Sequence, residues 1–154
     1  MNRPEPPTQD ADDRPDAAQP GAVVIDQPFD LDSLYQLRAV LAAHAATITA
    51  DKDQLDSLLI VAGELAANAV RHGGGSGRLR LWNRQEVLYC QVSDDGPGLD
   101  DATVGHIRPD PARGPGGLGL WLCRQLTSEL HINPGRPTGA GTTVLAVIPP
   151  VADR

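Results

Sequence analysis

Two stretches near the start of the chain repeat apolar residues every third or fourth position. Leu31, Leu34, Leu37, Val40 and Leu41 mark a first helix, with Asp30 or Asp32 available as its N-cap and a short strand at Val23 to Ile25 ahead of it. Leu55, Leu58, Ala62, Leu65 and Ala69 mark a second helix that begins near Asp51 and is stopped by Gly73, Gly74 and Gly75. The period then changes to two. Polar and apolar residues alternate from Arg78 to Trp82, and Val87 to Ser93 is rich in strand formers, so the polar stretch from Asn83 to Glu86 reads as the turn of a β-hairpin. Gly98 to Gly117 is loop-like, because Pro109, Pro111 and Pro115 break any long helix, and Leu118 to Leu130 reads as a third helix. Ile132 and the run from Thr142 to Ile148 suggest two closing strands ahead of Pro149 and Pro150. The fold class expected is a two-layer α/β (α+β) sandwich, with about three helices covering one face of a mixed, largely antiparallel sheet.

Residues 1–20 interleave Pro4, Pro6, Pro7, Pro15 and Pro20 with Asp10, Asp12, Asp13 and Asp16, which reads as a disordered acidic tail ahead of one domain over 21–150. Aromatic residues are only 3% of the 154, so Leu, Val, Ile and Ala must build the core. A formal charge of −7 argues against direct binding to nucleic acid, which needs a basic footprint. No apolar run reaches the roughly 18 residues of a membrane span and no signal-peptide pattern opens the chain, so a cytoplasmic protein without membrane contact is expected. Cys90 falls in a strand pattern and Cys123 in a helix pattern, both apolar, which points to two buried free thiols. They form no zinc-ligand spacing with His44, His72, His106 or His131.

Three segments carry candidate chemistry. On the second helix Glu64, Asn68 and His72 recur at intervals of four and rise along one face, although polar rows on helices are commonly only solvated faces. Asp94 then ends a strand on the same side as Leu88, Cys90 and Val92, ahead of Gly96 and Gly98, so its carboxylate needs a donor such as an adenine amino group. Asp95 should face the other way. Gly114, Gly116, Gly117 and Gly119 open directly into the third helix, where unpaired backbone N–H groups suit phosphate. A Rossmann reading fails because a proline-rich loop, not a strand, precedes these glycines, and a Walker reading fails because the single lysine, Lys52, follows no glycine loop.

In this order, E L A A N A V R H G at 64–73, D D G P G at 94–98 and G G L G L W L at 116–122 resemble the N, G1 and G2 boxes of GHKL ATPases, the Bergerat-fold group. H G G G S G R L R L W at 72–82 and G T T V at 141–144 are similar to bacterial anti-sigma factor serine kinases. The resemblance implies ATP or ADP with Mg²⁺ as ligand, Asn68 as the Mg²⁺ ligand and Glu64 as catalytic base or orienting group. It implies Asp94 as adenine reader, Gly96 and Gly98 as pocket wall, Gly117, Leu118 and Gly119 along the phosphates, and Thr142 at the adenine end. His72 has either a ligand-side role or only the role of complementing the helix dipole. Arg108 and Arg113 are available to a terminal phosphate but fall in no matching motif. Gly63, inside the second helix, marks either a close neighbour or a locally loose turn.

The function this implies is a protein serine kinase that phosphorylates an anti-anti-sigma partner of the STAS type and otherwise sequesters a sigma factor, with homodimerisation as in the resembling kinases. One alternative is a non-catalytic nucleotide-binding module that acts through protein contacts. Another, the ATPase half of a split histidine kinase, is disfavoured at this stage, since no phosphoacceptor helix pair precedes the domain and His44 lies among alanines without an adjacent acid.

Overall fold

The computed structural model describes residues 22–96, 118–133 and 141–151. The tail at 1–20, the segment that holds Pro97, Gly98 and Gly117, and the turn at 134–140 lie outside the described residues.

The first strand, β1, runs over Ala22–Asp30, longer than the sequence pattern suggests. Pro28 obscures its second half, yet a proline is tolerated here because β1 is an edge strand. Its register shifts between Val23 and Ile25, a bulge that realigns it on its neighbour. Neither aspartate caps the helix that follows, α1 (Leu34–Ile48). Ser33 precedes it, and Asp30 instead holds the turn: its carboxylate accepts from the Ser33 amide at 2.9 Å while the Ser33 hydroxyl accepts from the Asp30 amide at 2.8 Å.

Helix α2 (Lys52–His72) starts and stops where its pattern indicates. Asp51 is its N-cap and accepts from the amides of Asp53 and Gln54, while Gly73 closes it through a 2.8 Å bond to the Ala69 carbonyl. Strands β2 (Ser76–Arg84) and β3 (Val87–Ser93) form the hairpin. Its turn is only Gln85 and Glu86, both at positive φ (52° and 67°), the conformation a two-residue turn needs to follow the strand twist. Asn83 belongs to β2, and its amide donates to the Ile48 carbonyl. The third helix, α3 (Leu118–Leu126), is shorter than expected, and Leu130 belongs to strand β4 (Glu129–Asn133). The Thr127 hydroxyl closes the helix on the Cys123 carbonyl, and the Ser128 amide already bonds the Val147 carbonyl of the last strand, β5 (Thr143–Ile148).

The strand order is β1-β2-β3-β5-β4, and each described pairing is antiparallel. α1 packs on β1, α2 on β2, β3 and β5, and α3 on β4. One face of the sheet carries Leu79, Leu81, Leu88, Cys90, Val92, Val144 and Ala146 into a single core with Leu37, Leu58, Val61, Leu65 and Cys123 of the helices. This is the two-layer sandwich expected, with α2 and α3 side by side. Gln54, 1% exposed, ties the far end of the core: its amide donates to the carbonyls of Glu86 (2.8 Å) and Ile148 (2.9 Å). No helix among the described residues is long and apolar enough to cross a membrane.

Candidate functional site

The motif residues assemble along α2. At its C-terminal end Asp94 follows β3 and continues the sheet, its amide donating to the Thr142 carbonyl at 3.0 Å. Its Oδ1 accepts from the amides of Gly96 (3.0 Å) and Thr142 (3.2 Å). Both oxygens are thereby fixed in space, while Oδ2 has no donor among the described residues and remains an acceptor for an N–H group. Alternation of side chains along β3 predicted this inward direction, although Asp94 is half-buried rather than fully enclosed.

Glycines make that position possible. A β-carbon on Gly73 would lie 2.5 Å from Asp94 Oδ2, one on Gly96 would lie 2.5 Å from Gly73 Cα, and one on Gly141 would overlap the Asp94 carbonyl. The end of α2, the turn after β3 and the residue before β5 therefore meet at a point where only backbone fits. Gly73 reads in the sequence as a helix stop and as the last residue of the first motif, and Gly141 only as part of a family resemblance. Their packing role depends on three distant segments converging, which no local pattern reports. Thr142, 5% exposed, lies beside them.

About 7.5 Å back along the helix axis from Gly73, Asn68 faces the start of α3. Its Nδ2 is buried and has no hydrogen-bond partner, and a β-carbon on Gly119 would lie 3.7 Å from it and 2.5 Å from Glu64 Oε2. A buried amide end without a partner is costly, so this position suits a ligand group. Its Oδ1 accepts from Arg71 Nη2 at a long 3.5 Å, and a half-turn of the carboxamide that gives up this contact would present the oxygen there instead, which is the donor a hard cation such as Mg²⁺ takes. The first turn of α3 adds backbone N–H groups that no helical carbonyl satisfies. Glu64, Asn68 and Gly119 thus form one cluster and Asp94 with its glycines another, at successive levels along α2. His72 is exposed in the last turn of α2. Gly98, Gly117, Arg108 and Arg113 lie outside the described residues, as does the Leu118 side chain.

Behind Glu64 the core holds both free thiols. Burial, reinforced by the charge of Glu64, pushes Cys123 up to about 12, and burial with a smaller contribution from Cys123 does the same to Cys90. Both remain neutral, and among the described residues no group of histidine, cysteine and acidic side chains is placed to hold a metal. Gly63 meets only Arg38 Nε, 3.7 Å from a β-carbon built on it, so ordinary contact and not a tight approach surrounds it.

Comparison with known proteins agrees with this geometry. The profile of the histidine kinase-like ATPase domain matches residues 27–148. The sensor histidine kinase DcuS of Escherichia coli K12 is 33% identical over 86 residues, which cover 51% of this chain and 16% of that protein. The sensor protein SphS of Synechococcus elongatus is 37% identical over 84 residues, 44% of this chain and 20% of its own length. The chain therefore spans about a fifth or less of the curated relatives it matches. Among solved structures, the histidine kinase domain of the blue-light activated histidine kinase of Erythrobacter litoralis EL346 superposes with a TM-score of 0.52 at 21% identity, covering 74% of this chain and 61% of that one, a likeness of fold. The profile match over most of the chain, on a sheet and helix layer of the same kind, places this protein in the histidine kinase-like ATPase domain family, the GHKL group of ATP-binding domains.

Proposed function

We propose that this domain binds ATP with Mg²⁺ between α2 and α3 and transfers the γ-phosphoryl group to a serine of an anti-anti-sigma partner of the STAS type, and that it holds a sigma factor when that partner is absent. The observation that carries the reading is the placement of Glu64 against Gly119, with the unpartnered Nδ2 of Asn68 beside it. This sets a carboxylate and a metal-competent amide at the start of a helix suited to phosphate. Asp94 Oδ2 accepts the adenine amino group and fixes the nucleotide's far end. Bound Mg²⁺ would neutralise phosphate charge, with Asn68 as its protein ligand. Glu64 orients the incoming serine hydroxyl and accepts its proton as the new O–P bond forms and the bond from the γ-phosphorus to the bridging oxygen breaks, releasing ADP. The choice of a serine acceptor and of these partners rests on the similarity of residues 72–82 and 141–144 to anti-sigma factor serine kinases.

The names of the relatives support a second reading, in which the acceptor is a histidine. Labelled ATP separates the two, because phosphoserine survives acid and phosphohistidine does not. Incubation with purified STAS-type candidates should give an acid-stable label on the partner, reduced about 100-fold or more by Glu64→Ala with nucleotide binding retained. An acid-labile label would favour the second reading. Binding without any transfer, unchanged by Glu64→Ala, would leave a nucleotide-dependent switch acting through protein contacts.

A further inference from the structure

The sheet face turned away from the helices carries a polar cluster that the nucleotide site does not use. Leu79, Leu81, Cys90, Val92 and Val144 point into the core, so the residues alternating with them share the opposite face. The strand register sets these in two neighbouring rows: Asp26 beside Arg80 and Arg80 beside Gln91, then Arg78 beside Ser93 and Ser93 beside Thr143. All six line one open cavity.

Two cations share a single anion there. Arg78 takes the Asp26 carboxylate with both arms, Nε to Oδ1 and Nη2 to Oδ2 at 2.9 Å, and so holds that carboxyl below its ordinary range. Arg80 is left with a loose ionic contact: its Nε lies 3.8 Å from Asp26 Oδ2, beyond hydrogen-bond distance, and has no hydrogen-bond partner. The side chains of Gln91, Ser93 and Thr143 make no hydrogen bond among the described residues. Two guanidiniums against one carboxylate leave one positive charge in the cavity, in a chain whose formal charge is −7. The Arg80 side chain is 37% accessible, so an anion can reach it from solvent.

We propose that this cavity binds a small phosphate-bearing anion, either inorganic phosphate or a phosphate monoester. Arg80 supplies the charge and a guanidinium fork that matches an oxyanion, and the Gln91 amide with the Ser93 and Thr143 hydroxyls supplies neutral donors. These donors come from three strands about 4.8 Å apart and from two rows about 6.7 Å apart along the strands. A carboxylate presents its lone pairs in one plane, whereas phosphate oxygens point in several directions and meet donors spread in this way. Asp26 does not exclude the anion, because Arg78 neutralises it. The site is separate from the nucleotide cleft, which lies on the helix side of the sheet.

The test titrates inorganic phosphate into the isotope-labelled full chain at ionic strength held constant with chloride. It reads the Arg80 Nε–H and Gln91 side-chain amide resonances, which report this face and not the cleft. Saturable shifts are expected, with affinity about tenfold or more weaker in Arg80→Gln and about threefold weaker in Thr143→Val, far-ultraviolet dichroism being unchanged in both. Asp26→Asn removes the only acid from the cavity and should tighten binding about threefold or more. Glycerol phosphate distinguishes the two sources: saturation at lower concentration than with inorganic phosphate names a monoester, and the reverse order names the free ion. Shifts that do not saturate, equal affinity for acetate, or affinity unchanged in Arg80→Gln overturn the proposal. So does displacement of phosphate by Mg²⁺ with ADP, which would assign the shifts to the nucleotide cleft.

Discussion

At the scale of single residues, the site depends on side chains that are missing as much as on those present. Gly119 lets Glu64 and Asn68 reach the start of α3, and Gly73 lets Asp94 Oδ2 lie against the end of α2. A methyl group on Gly119 would have to displace the Glu64 carboxylate. Gly119→Ala is therefore expected to reduce phosphotransfer at least tenfold, with an overpacking cost of about 1–3 kcal/mol where α2 and α3 cannot separate. Parallel transfer assays and thermal unfolding check this, and an unchanged rate in a folded variant would contradict the geometry. Gly63 serves as a contrast. It has the space for a β-carbon and sits mid-helix, so Gly63→Ala should stabilise the domain by about 1 kcal/mol in denaturant unfolding and leave nucleotide affinity as it was.

Among the elements, α2 carries both the packing and the chemistry, with Leu58, Val61, Ala62 and Leu65 in the core and Glu64 and Asn68 on the adjoining face. Its N-terminus rests on Asp51, whose Oδ1 accepts from the amides of Asp53 (3.0 Å) and Gln54 (3.1 Å) and whose Oδ2 accepts from that of Val151 (3.1 Å). Asp51→Ala removes the cap and the tie to the chain end together and should cost about 1–2 kcal/mol, read as a lowered denaturant midpoint. This helix was legible because its cap, its 3.6-residue period and its glycine stop agree. The hairpin was legible from its alternation, and both thiols from their apolar surroundings. Other boundaries were not. Leu130 continues the helical apolar pattern but is taken by pairing of β4 with β5, and the second half of β1 is hidden by Pro28 until the edge position of the strand is known. The inward direction of Asp94 could be read from strand alternation, while the glycines enclosing it became meaningful only when distant segments were brought together.

Across the whole molecule, the buried thiols make stability depend on alkaline pH. Burial raises Cys90 and Cys123 from the ordinary value of 9.0 to about 12, so the folded chain holds both protons more tightly than the unfolded one. Their contribution is complete below pH 9 and is lost as pH rises toward 12, where the unfolded chain has ionised and the folded chain has not. Unfolding free energy should therefore fall over that range, and more steeply than in a Cys90→Ala, Cys123→Ala variant. Coincident slopes would show that other groups govern the alkaline limit.

The central claim is that α2 and α3, with the Asp94 turn, form one adenine-nucleotide site. Calorimetric titration of Mg²⁺ with ADP or ATP into the purified protein tests it most directly, with Asp94→Asn as the control. Replacing Oδ2 with an amino group sets a donor against the adenine amino group, and the loss of a buried partner should weaken binding about 10- to 100-fold at roughly 1–3 kcal/mol. Saturable one-site binding that weakens in this way is the result expected. Absence of heat at millimolar nucleotide, or equal affinity in Asp94→Asn, would contradict the assignment of the site.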